Sequence, residues 1–325
     1  MMHKKLLIGL SSFHDLPFLK KSVPVLDELR RSTHATFVVM DTGWDDEVKT
    51  WFDAEYPEVH YLRHPEGNIG YGRSYDEILR QFPGHDFFLV TTSDVLLDLE
   101  AFEKILLAME EDGDLAMAAG KLHYWDFAKD EKTSLIDSLG IVGRKNHHFF
   151  DRGQGEEDRG QYDSHLNEIF GISGAVFLIR LGVLPQLFDE RFWMYKEDID
   201  LAYRLRWAGK KIQLFPWVWG WHARTISNPH GQKVRGLLKA EFGKKDYGRL
   251  HSYKNHLLLL KNHFTLAYGW KVFLATLIYE IAKGVLIFLK SPRVFFAGMK
   301  TLLFVKGRPS VRVASPNEML RHFEP

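Results

Sequence analysis

The chain has 325 residues and no cysteine, so disulfide bridges and thiolate metal sites are both excluded. Hydrophobic residues make up 45% of the sequence and aromatic residues 14%, a composition typical of a folded globular protein. The formal net charge of +1 hides an asymmetry, because residues 231–325 carry 17 Lys and Arg against 5 Asp and Glu, whereas residues 1–230 carry 26 against 37.

Apolar runs and amphipathic segments alternate along the first part of the chain. The run near the N-terminus is too short for the core of a signal peptide and predicts a first strand instead. Strand-like runs occupy 4–13, 35–43, 59–67 and 85–94, and helix-like segments occupy 16–32, 45–57, 68–82 and 99–112. This alternation predicts an α/β fold with a mostly parallel central sheet and helices on both faces.

The middle of the chain has no clear period. Residues 122–167 are polar and rich in Gly, His and Arg, which predicts a long irregular loop that is either functional or disordered. Strand patterns resume at 168–180 and 210–222, on either side of a short helical pattern.

Polar residues stand where several predicted strands end. Asp41, Asp94 and His222 each follow an apolar strand, and ligands of such sheets bind at the carboxyl ends of the strands. An Asp at the position of Asp94 can hold Mg²⁺ or Mn²⁺ on a diphosphate, because hard cations prefer oxygen ligands. The alternatives are a turn or capping role for Asp94 and a packed, hydrogen-bonded role for His222.

Four acids lie among aromatic residues in the stretch ERFWMYKEDIDLAYRLRWAGKKI. The acids are Glu190, Glu197, Asp198 and Asp200, and the aromatic-rich segment is 192–195. Acids at a helix start can simply complement the helix dipole, a contribution of about 0.3–1 kcal/mol each. That explanation leaves the aromatic residues unexplained, so a substrate-binding role stays open beside it.

A second motif, GNIGYGRSYDEIL, superficially suggests a dinucleotide fingerprint. Its glycines are Gly67, Gly70 and Gly72, and this spacing is not G-x-G-x-x-G. A dehydrogenase is therefore disfavoured.

Taken in order, the segments LIGLSSF, VVMDTGWDD, NIGYGRSYDEIL, FFLVTTSDVLL, GISGAVFLIR, FDERFWMYKEDIDLAYRLRWAGKKI and WGWH resemble the family-2 glycosyltransferases with the A-type nucleotide-sugar-binding fold. The resemblance covers about residues 5–225. The segment 136–175 further resembles the bacterial rhamnosyltransferase branch, which uses dTDP-L-rhamnose.

The resemblance implies roles for matching residues. Asp198, in the pair with Glu197, matches the catalytic base, and Asp94 matches the acid that coordinates Mg²⁺ or Mn²⁺, with His222 joining the metal in some members. The matching donor-binding residues are Ser11, Ser12, Asp41 (the pyrimidine base), Asn68, Gly70, Arg73 (the diphosphate side) and Ser93. The sequence departs from the family at Thr92, where another Asp or Asn is usual, so its metal motif is degenerate.

These roles imply an inverting glycosyltransferase that moves L-rhamnose from dTDP-L-rhamnose to a lipid-linked or polysaccharide acceptor in cell-surface glycan assembly. Another UDP-sugar donor is an alternative within the same class. Two other classes also stay open. One is a catalytically inactive nucleotide-sugar-binding protein, and the other is a scaffold that docks enzymes at the membrane.

The basic C-terminal region changes character from Phe264 onward. One helical arc there is apolar and the opposite arc carries Glu280 and Lys283, which would each cost roughly 2.5–3.5 kcal/mol in the centre of a spanning helix. The pattern therefore predicts amphipathic helices in the membrane interface, where anionic lipid attracts basic residues. Packing on the catalytic domain or on a second subunit is the alternative, and nucleic acid fits less well.

The contrast between the first part of the chain and the basic C-terminal region predicts two domains. Residues 1–245 form the expected nucleotide-sugar-binding catalytic domain, and residues 246–325 form the expected membrane-association region. The expected location is peripheral, on the cytoplasmic face of the plasma membrane, and self-association into a homo-oligomer is compatible with the sequence.

Overall fold

The structure is a computed structural model that describes residues 5–224, 246–308 and 310–324. The start of the basic region, residues 231–245, and with it the predicted domain boundary at 245, lie outside these ranges.

The secondary structure of the described residues comprises the following elements. The strands are β1 (Leu6–Ser12), β2 (Thr36–Asp41), β3 (His60–Arg63), β4 (Phe87–Thr92), β5 (Val95–Leu97), β6 (Leu115–Asp126), β7 (Glu131–Ser138), β8 (Ile141–Arg144), β9 (Phe149–Asp151), β10 (Val176–Arg180), β11 (Lys211–His222) and β12 (Phe323–Glu324). The helices are α1 (Leu16–Thr33), α2 (Asp46–Glu55), α3 (Tyr71–Gln81), α4 (Leu99–Glu111), α5 (Glu197–Trp207), α6 (Asp246–His263), α7 (Trp270–Lys290), α8 (Pro292–Phe304) and α9 (Pro316–Leu320).

In the described part of the chain, nine strands form one large sheet in the order β3-β2-β1-β4-β10-β6-β11-β5, with β7 added beside β6. The four strands β3, β2, β1 and β4 run parallel, as the alternation of strands and helices predicts. Strand β10 lies between β4 and β6 and runs antiparallel to both, so the sheet as a whole is mixed. The carboxyl ends of β1, β4 and β11 still meet on one side.

The expectation of an irregular loop at 122–167 is wrong for much of that segment. Strand β6 continues to Asp126, β7 pairs antiparallel with it, and β8 pairs with β9. Strand β7 is exposed in its first half and buried in its second, so no single period marks it in the sequence. Pairing with β6 supplies the backbone hydrogen bonds that stabilise it, and this partner is visible only in the tertiary structure.

The C-terminal region is joined to the catalytic part through shared core and shared sheet. Leu258 and Leu259 of α6 lie in the main hydrophobic core. Strand β12 pairs with β8, with Phe323 opposite Gly143, and completes a small sheet with β9. A separation of the chain into domains at residue 245 stays a prediction. Ile287 and Val294, on α7 and α8, pack with α6 in a second hydrophobic cluster.

Helix α7 has an unusual orientation, because its apolar arc faces outward. Its exposed large apolar side chains are Trp270, Phe273, Leu274, Leu277, Ile278, Ile281, Val285, Phe288 and Leu289. Its polar residues Thr276 and Lys283 are buried instead. By length and composition alone, α7 is the one described helix that could cross a membrane.

Candidate functional site

A cavity of about 920 Å³ opens at the carboxyl ends of β1, β4 and β11. Most of the residues predicted from the sequence line it. They are Ser11, Ser12, Asn68, Gly70, Ser93, Asp94, Glu197, Asp198 and His222. Asp41 and Arg73 are the two predicted residues that do not line it.

Asp94 and His222 meet although they lie far apart in the sequence. Strand β11 pairs with β5 so that His222 stands opposite Val95, the residue after Asp94. This register places His222 Nε2 3.3 Å from Asp94 Oδ2. The hydroxyl of Thr92, at the degenerate position of the metal motif, donates to Asp94 Oδ1 at 2.7 Å.

The charge of His222 is set by two carboxylates. Its Nδ1 lies 2.9 Å from Asp137 Oδ2, on the far side of the ring from Asp94. Burial by itself lowers the pKa of His222, but Asp94 and Asp137 outweigh it and raise the pKa to about 9. The ring is therefore an imidazolium at neutral pH in the ligand-free protein.

Sequence reasoning missed the residues that surround this pair. Arg224 pairs with Asp137 and also donates to Asp151 Oδ2 at 2.9 Å, and both Arg224 and Asp151 line the cavity. Asp137 and Asp151 lie in the segment interpreted as a loop, so only the pairing of β7 with β6 and of β9 with β8 reveals them.

Asp198 stands at the first turn of α5 with its carboxylate partly exposed to the cavity. Its Oδ2 accepts a hydrogen bond from the Gly174 amide at 3.1 Å, and its Oδ1 accepts one from the Ile199 amide at 2.8 Å. Burial raises the pKa of the Asp198 carboxyl above its usual range, although nearby Lys196 and the two amides act in the opposite direction. The carboxylate is thus fixed in place and is a stronger base than a solvated Asp.

Glu197 is 8% exposed, and its Oε2 has no hydrogen-bond partner among the described residues. Burial, followed by the charge of Asp198, raises the pKa of Glu197 to about 8. The charge of Asp198 thus disfavours a charge on Glu197, and a helix-cap role leaves the burial of Glu197 unexplained.

The opposite side of the cavity is formed by short polar side chains. The hydroxyl of Ser12 donates to Asp15 Oδ1 at 2.6 Å, and the hydroxyl of Ser93 donates to the other oxygen of the same carboxylate. Asp15 lines the cavity and joins the ends of β1 and β4, but its place directly before a helix gave no signal beyond that of a cap.

Asn68 and Gly70 shape the turn before α3. The side-chain oxygen of Asn68 accepts a hydrogen bond from the Gly70 amide at 2.9 Å. Gly70 has φ +84°, and a Cβ there would lie 2.6 Å from the carbonyl oxygen of Trp193. Arg73 does not line the cavity and pairs with Glu66 at 3.4 Å, and its place beside the diphosphate stays a prediction.

Asp41 is fully buried and its carboxylate is already engaged. It accepts hydrogen bonds from the Tyr61 hydroxyl at 2.7 Å and from Arg63 Nε at 3.0 Å, as well as from backbone amides of residues 43–45. A contact with a pyrimidine base stays a prediction, and it would require these bonds to rearrange.

The aromatic segment before α5 divides between two environments. Trp193, Met194 and Tyr195 line the cavity beside Asp198. Phe192 is 1% exposed and belongs to the hydrophobic core, so the substrate-binding role left open for segment 192–195 does not apply to Phe192.

The residues present fit a divalent cation bound together with a diphosphate. The described residues contain no group of three or more His, Cys, Asp or Glu side chains arranged to hold a metal ion. Asp94 and His222 would supply two ligands, and Mg²⁺ is usually bound through one or two carboxylates, with phosphate oxygens and water completing its shell. Asp137 behind His222 is the kind of carboxylate that orients a ligating imidazole, once the proton on Nε2 has left.

A family model and a number of solved structures are similar to this chain. Residues 25–184 match the family model described as glycosyl transferase family 2. No curated protein matches the chain.

Two solved structures share the fold. A crystal structure of GalNAc-T7 with UDP, GalNAc and Mn²⁺ superposes with a TM-score of 0.58 at 10% identity, over 80% of this chain and 48% of that one. The chain thus spans about half the length of that protein. The mannosyltransferase PcManGT from Pyrobaculum calidifontis, in complex with GDP-Man and Mn²⁺, superposes with a TM-score of 0.51 at 12% identity. The match covers 94% of this chain and 88% of that one. The expected A-type glycosyltransferase fold is confirmed.

Proposed function

We propose that the chain is a glycosyltransferase that uses a nucleotide-sugar donor. One observation carries the proposal: the fixed carboxylate of Asp198 lines the same 920 Å³ cavity as the Asp94–His222 pair. A general base and a diphosphate-binding pair in one cavity are what transfer to an acceptor hydroxyl requires. The match of residues 25–184 to the family model and the two similar structures, which hold UDP or GDP-Man with Mn²⁺, support it.

The donor would lie along the side of the cavity formed by Ser11, Ser12, Asn68 and Gly70, with its diphosphate towards Asp94. A divalent cation held by Asp94 and His222, Mg²⁺ or Mn²⁺, supplies positive charge against the leaving diphosphate when bound. Arg224 lines the cavity beside this pair and adds a second positive group.

Asp198 is proposed as the base. One lone pair on each of its oxygens is used by an amide, which leaves the carboxylate able to accept the proton of an acceptor hydroxyl. The oxygen of the acceptor hydroxyl then bonds to the anomeric carbon of the donor sugar, while the bond from this carbon to the diphosphate oxygen breaks. A single displacement inverts the anomeric centre, so a β-L-rhamnosyl donor would give an α-linked product.

Replacement of Asp198 by Asn tests the base. We expect Asp198→Asn to release nucleotide from the donor about 10²–10⁴-fold more slowly, which is the usual contribution of a general base to the rate. Donor binding should be retained. Asp163→Asn, at a half-exposed carboxylate that pairs with Lys121, is the matched control and should keep activity. Loss of donor binding without a change in turnover would contradict the role.

The donor is proposed to be dTDP-L-rhamnose, on the resemblance of 136–175 to rhamnosyltransferases. Another UDP-sugar is the alternative within the class, and a catalytically inactive binding protein is the alternative outside it, favoured by Thr92 in the metal motif. A thermal-shift panel of dTDP-, UDP- and GDP-sugars with Mg²⁺ or Mn²⁺ separates the donors. Binding without turnover would identify the inactive protein, and no shift with any nucleotide sugar would favour a scaffold.

The acceptor is proposed to be lipid-linked, with the enzyme bound peripherally to the cytoplasmic face of the membrane. Support comes from α7, whose outward arc is apolar while Glu280 turns inward and pairs with His256 of α6 at 2.6 Å. Buried positions recur along α7 from Val272 to Ile287, so the whole helix lies against the protein. That placement favours a helix in the plane of the interface over one that crosses the bilayer.

Substitutions on α7 test the membrane proposal. Ile278→Glu with Ile281→Glu places charges at positions that are 60% and 58% exposed, and we expect loss of co-flotation with vesicles that contain phosphatidylglycerol. Leu107→Glu, at a 55% exposed position of α4, is the matched control and should float like the unmodified protein. Equal flotation of all three proteins, or none, would refute membrane binding through this arc.

A further inference from the structure

The segment that leads into the catalytic helix has a strained backbone. Tyr195 and Lys196, directly before Glu197 and Asp198, have φ of +68° and +74°. Left-handed backbone is unfavourable for a residue with a side chain, because its Cβ comes too close to the following carbonyl oxygen, and here two such residues follow each other. A conformation of this kind persists only where the surrounding structure holds it.

Asn255 of α6 provides that restraint. Its Nδ2 donates to the carbonyl oxygens of Met194 at 2.8 Å and of Tyr195 at 2.9 Å. The side chain is 0% exposed, and its Oδ1 has no hydrogen-bond partner among the described residues. The hydrogen bonds that the Asn255 side chain donates among the described residues therefore go to the two carbonyls of the strained segment.

Helix α6 also holds the other side of the Glu197–Asp198 pair. Asp200, in the first turn of α5, accepts hydrogen bonds from His263 Nε2 at 2.8 Å and from Asn262 Nδ2 at 3.3 Å. The ring of His263 stacks on Tyr203 of α5 with centroids 4.3 Å apart. One helix thus fixes the backbone before Asp198 and the helical turn after it.

We propose that Asn255 is a positioning residue, which aims the Asp198 carboxylate into the cavity by holding the carbonyls of Met194 and Tyr195. The inference rests on the proposed function of Asp198. A shift of about 1 Å in a catalytic group can cost on the order of 10²-fold in rate. Relaxation of the two left-handed residues would move the start of α5 and with it Asp198, so we expect turnover to fall. The donor-binding residues on β1, directly after β4 and in the turn before α3 would keep their places.

Asn255→Ala removes both hydrogen bonds, and Leu257→Ala is its matched control. Leu257 lies two residues along the same helix, is 5% exposed and packs in the cluster with Ile287 and Val294. Its truncation loosens α6 without touching the carbonyls of residues 194 and 195. Asn255→Ser, which keeps one donor, takes the place of the alanine variant if that protein does not fold.

The measurement is kcat and KM for release of nucleotide from whichever dTDP-, UDP- or GDP-sugar raises the melting temperature most, with Mn²⁺. We expect Asn255→Ala to lower kcat by about 10- to 100-fold with KM and the donor-induced thermal shift unchanged, and Leu257→Ala to lower only the melting temperature. Unaltered kcat in Asn255→Ala, or an equal loss of kcat in Leu257→Ala, overturns the inference. Turnover retained in Asp198→Asn overturns the proposed function itself, whereas turnover lost there and kept in Asn255→Ala overturns the positioning role alone.

Discussion

Replacement of Glu197 by Gln should stabilise the protein, and more so as the pH rises. Burial and the adjacent Asp198 raise the pKa of Glu197 from its ordinary 4.5 to about 8. Between these two values the unfolded chain releases the proton and the folded protein keeps it. The native state therefore loses stability as the pH rises towards 8, and Gln, which is neutral at every pH, removes that loss.

The size of the effect follows from the shift. Each pKa unit corresponds to about 1.4 kcal/mol, so the native state loses on the order of 4 kcal/mol between about pH 5 and pH 8 through Glu197. We expect the free energies of unfolding of Glu197→Gln and of the unmodified protein to be close at the lower pH and to diverge by that amount at the higher one.

Urea unfolding followed by tryptophan fluorescence at several pH values measures this difference. Glu103→Gln, at an exposed position of α4, is the control and should unfold in parallel with the unmodified protein at every pH. A parallel pH dependence for Glu197→Gln as well would refute the reasoning, because it would mean that Glu197 is solvated or already ionised in the folded protein.

Three further predictions concern the site. Because burial raises the pKa of Asp198, the acid limb of kcat should lie above the pKa of about 3.9 of a solvated Asp, and a limb at or below about pH 4 would contradict this. Gly70→Ala should lower the melting temperature more than Gly84→Ala, since both residues have φ +84° but only at Gly70 would a Cβ meet Trp193; equal shifts would contradict that contact. Asp94→Asn should abolish the part of the donor-induced thermal shift that depends on Mn²⁺, and a shift that survives intact would exclude Asp94 as a ligand.

Much of the first half of the fold could be predicted from sequence, because parallel strands and their covering helices bury long apolar runs with local periodicity. Strands β1 to β4 and helices α1 to α4 lie within a few residues of their predicted positions. The same periodicity marks the ends of strands, so the order of residues is enough to place Asp94 at the cavity. Ser11, Ser12 and Asp198 are different, because only the family resemblance singles them out as site residues.

Contacts between distant segments could not be predicted. The distance of 3.3 Å between His222 and Asp94 depends on the register of β11 against β5. The burial of Glu197 depends on how α5 packs against the rest of the folded chain. Strands β7 to β9 escaped detection because their pairing partners, and not their own composition, stabilise them. Asp41 has a strand-end position that looks available in the sequence, yet the hydroxyl of Tyr61 and the guanidinium of Arg63 already occupy it.

Helices α6 and α7 show most clearly which features follow from the sequence and which arise only in the folded structure. The amphipathic period of α7 is a local property, so it is legible in the order of its residues, but nothing in that order says which arc meets the protein. Only the packed structure decides this, because the pairing of Glu280 with His256 turns the polar arc inward and leaves the apolar arc outside. Likewise Asn255 is an ordinary polar residue in the sequence, and its hold on Met194 and Tyr195 exists only because folding brings distant positions of the chain within hydrogen-bond distance.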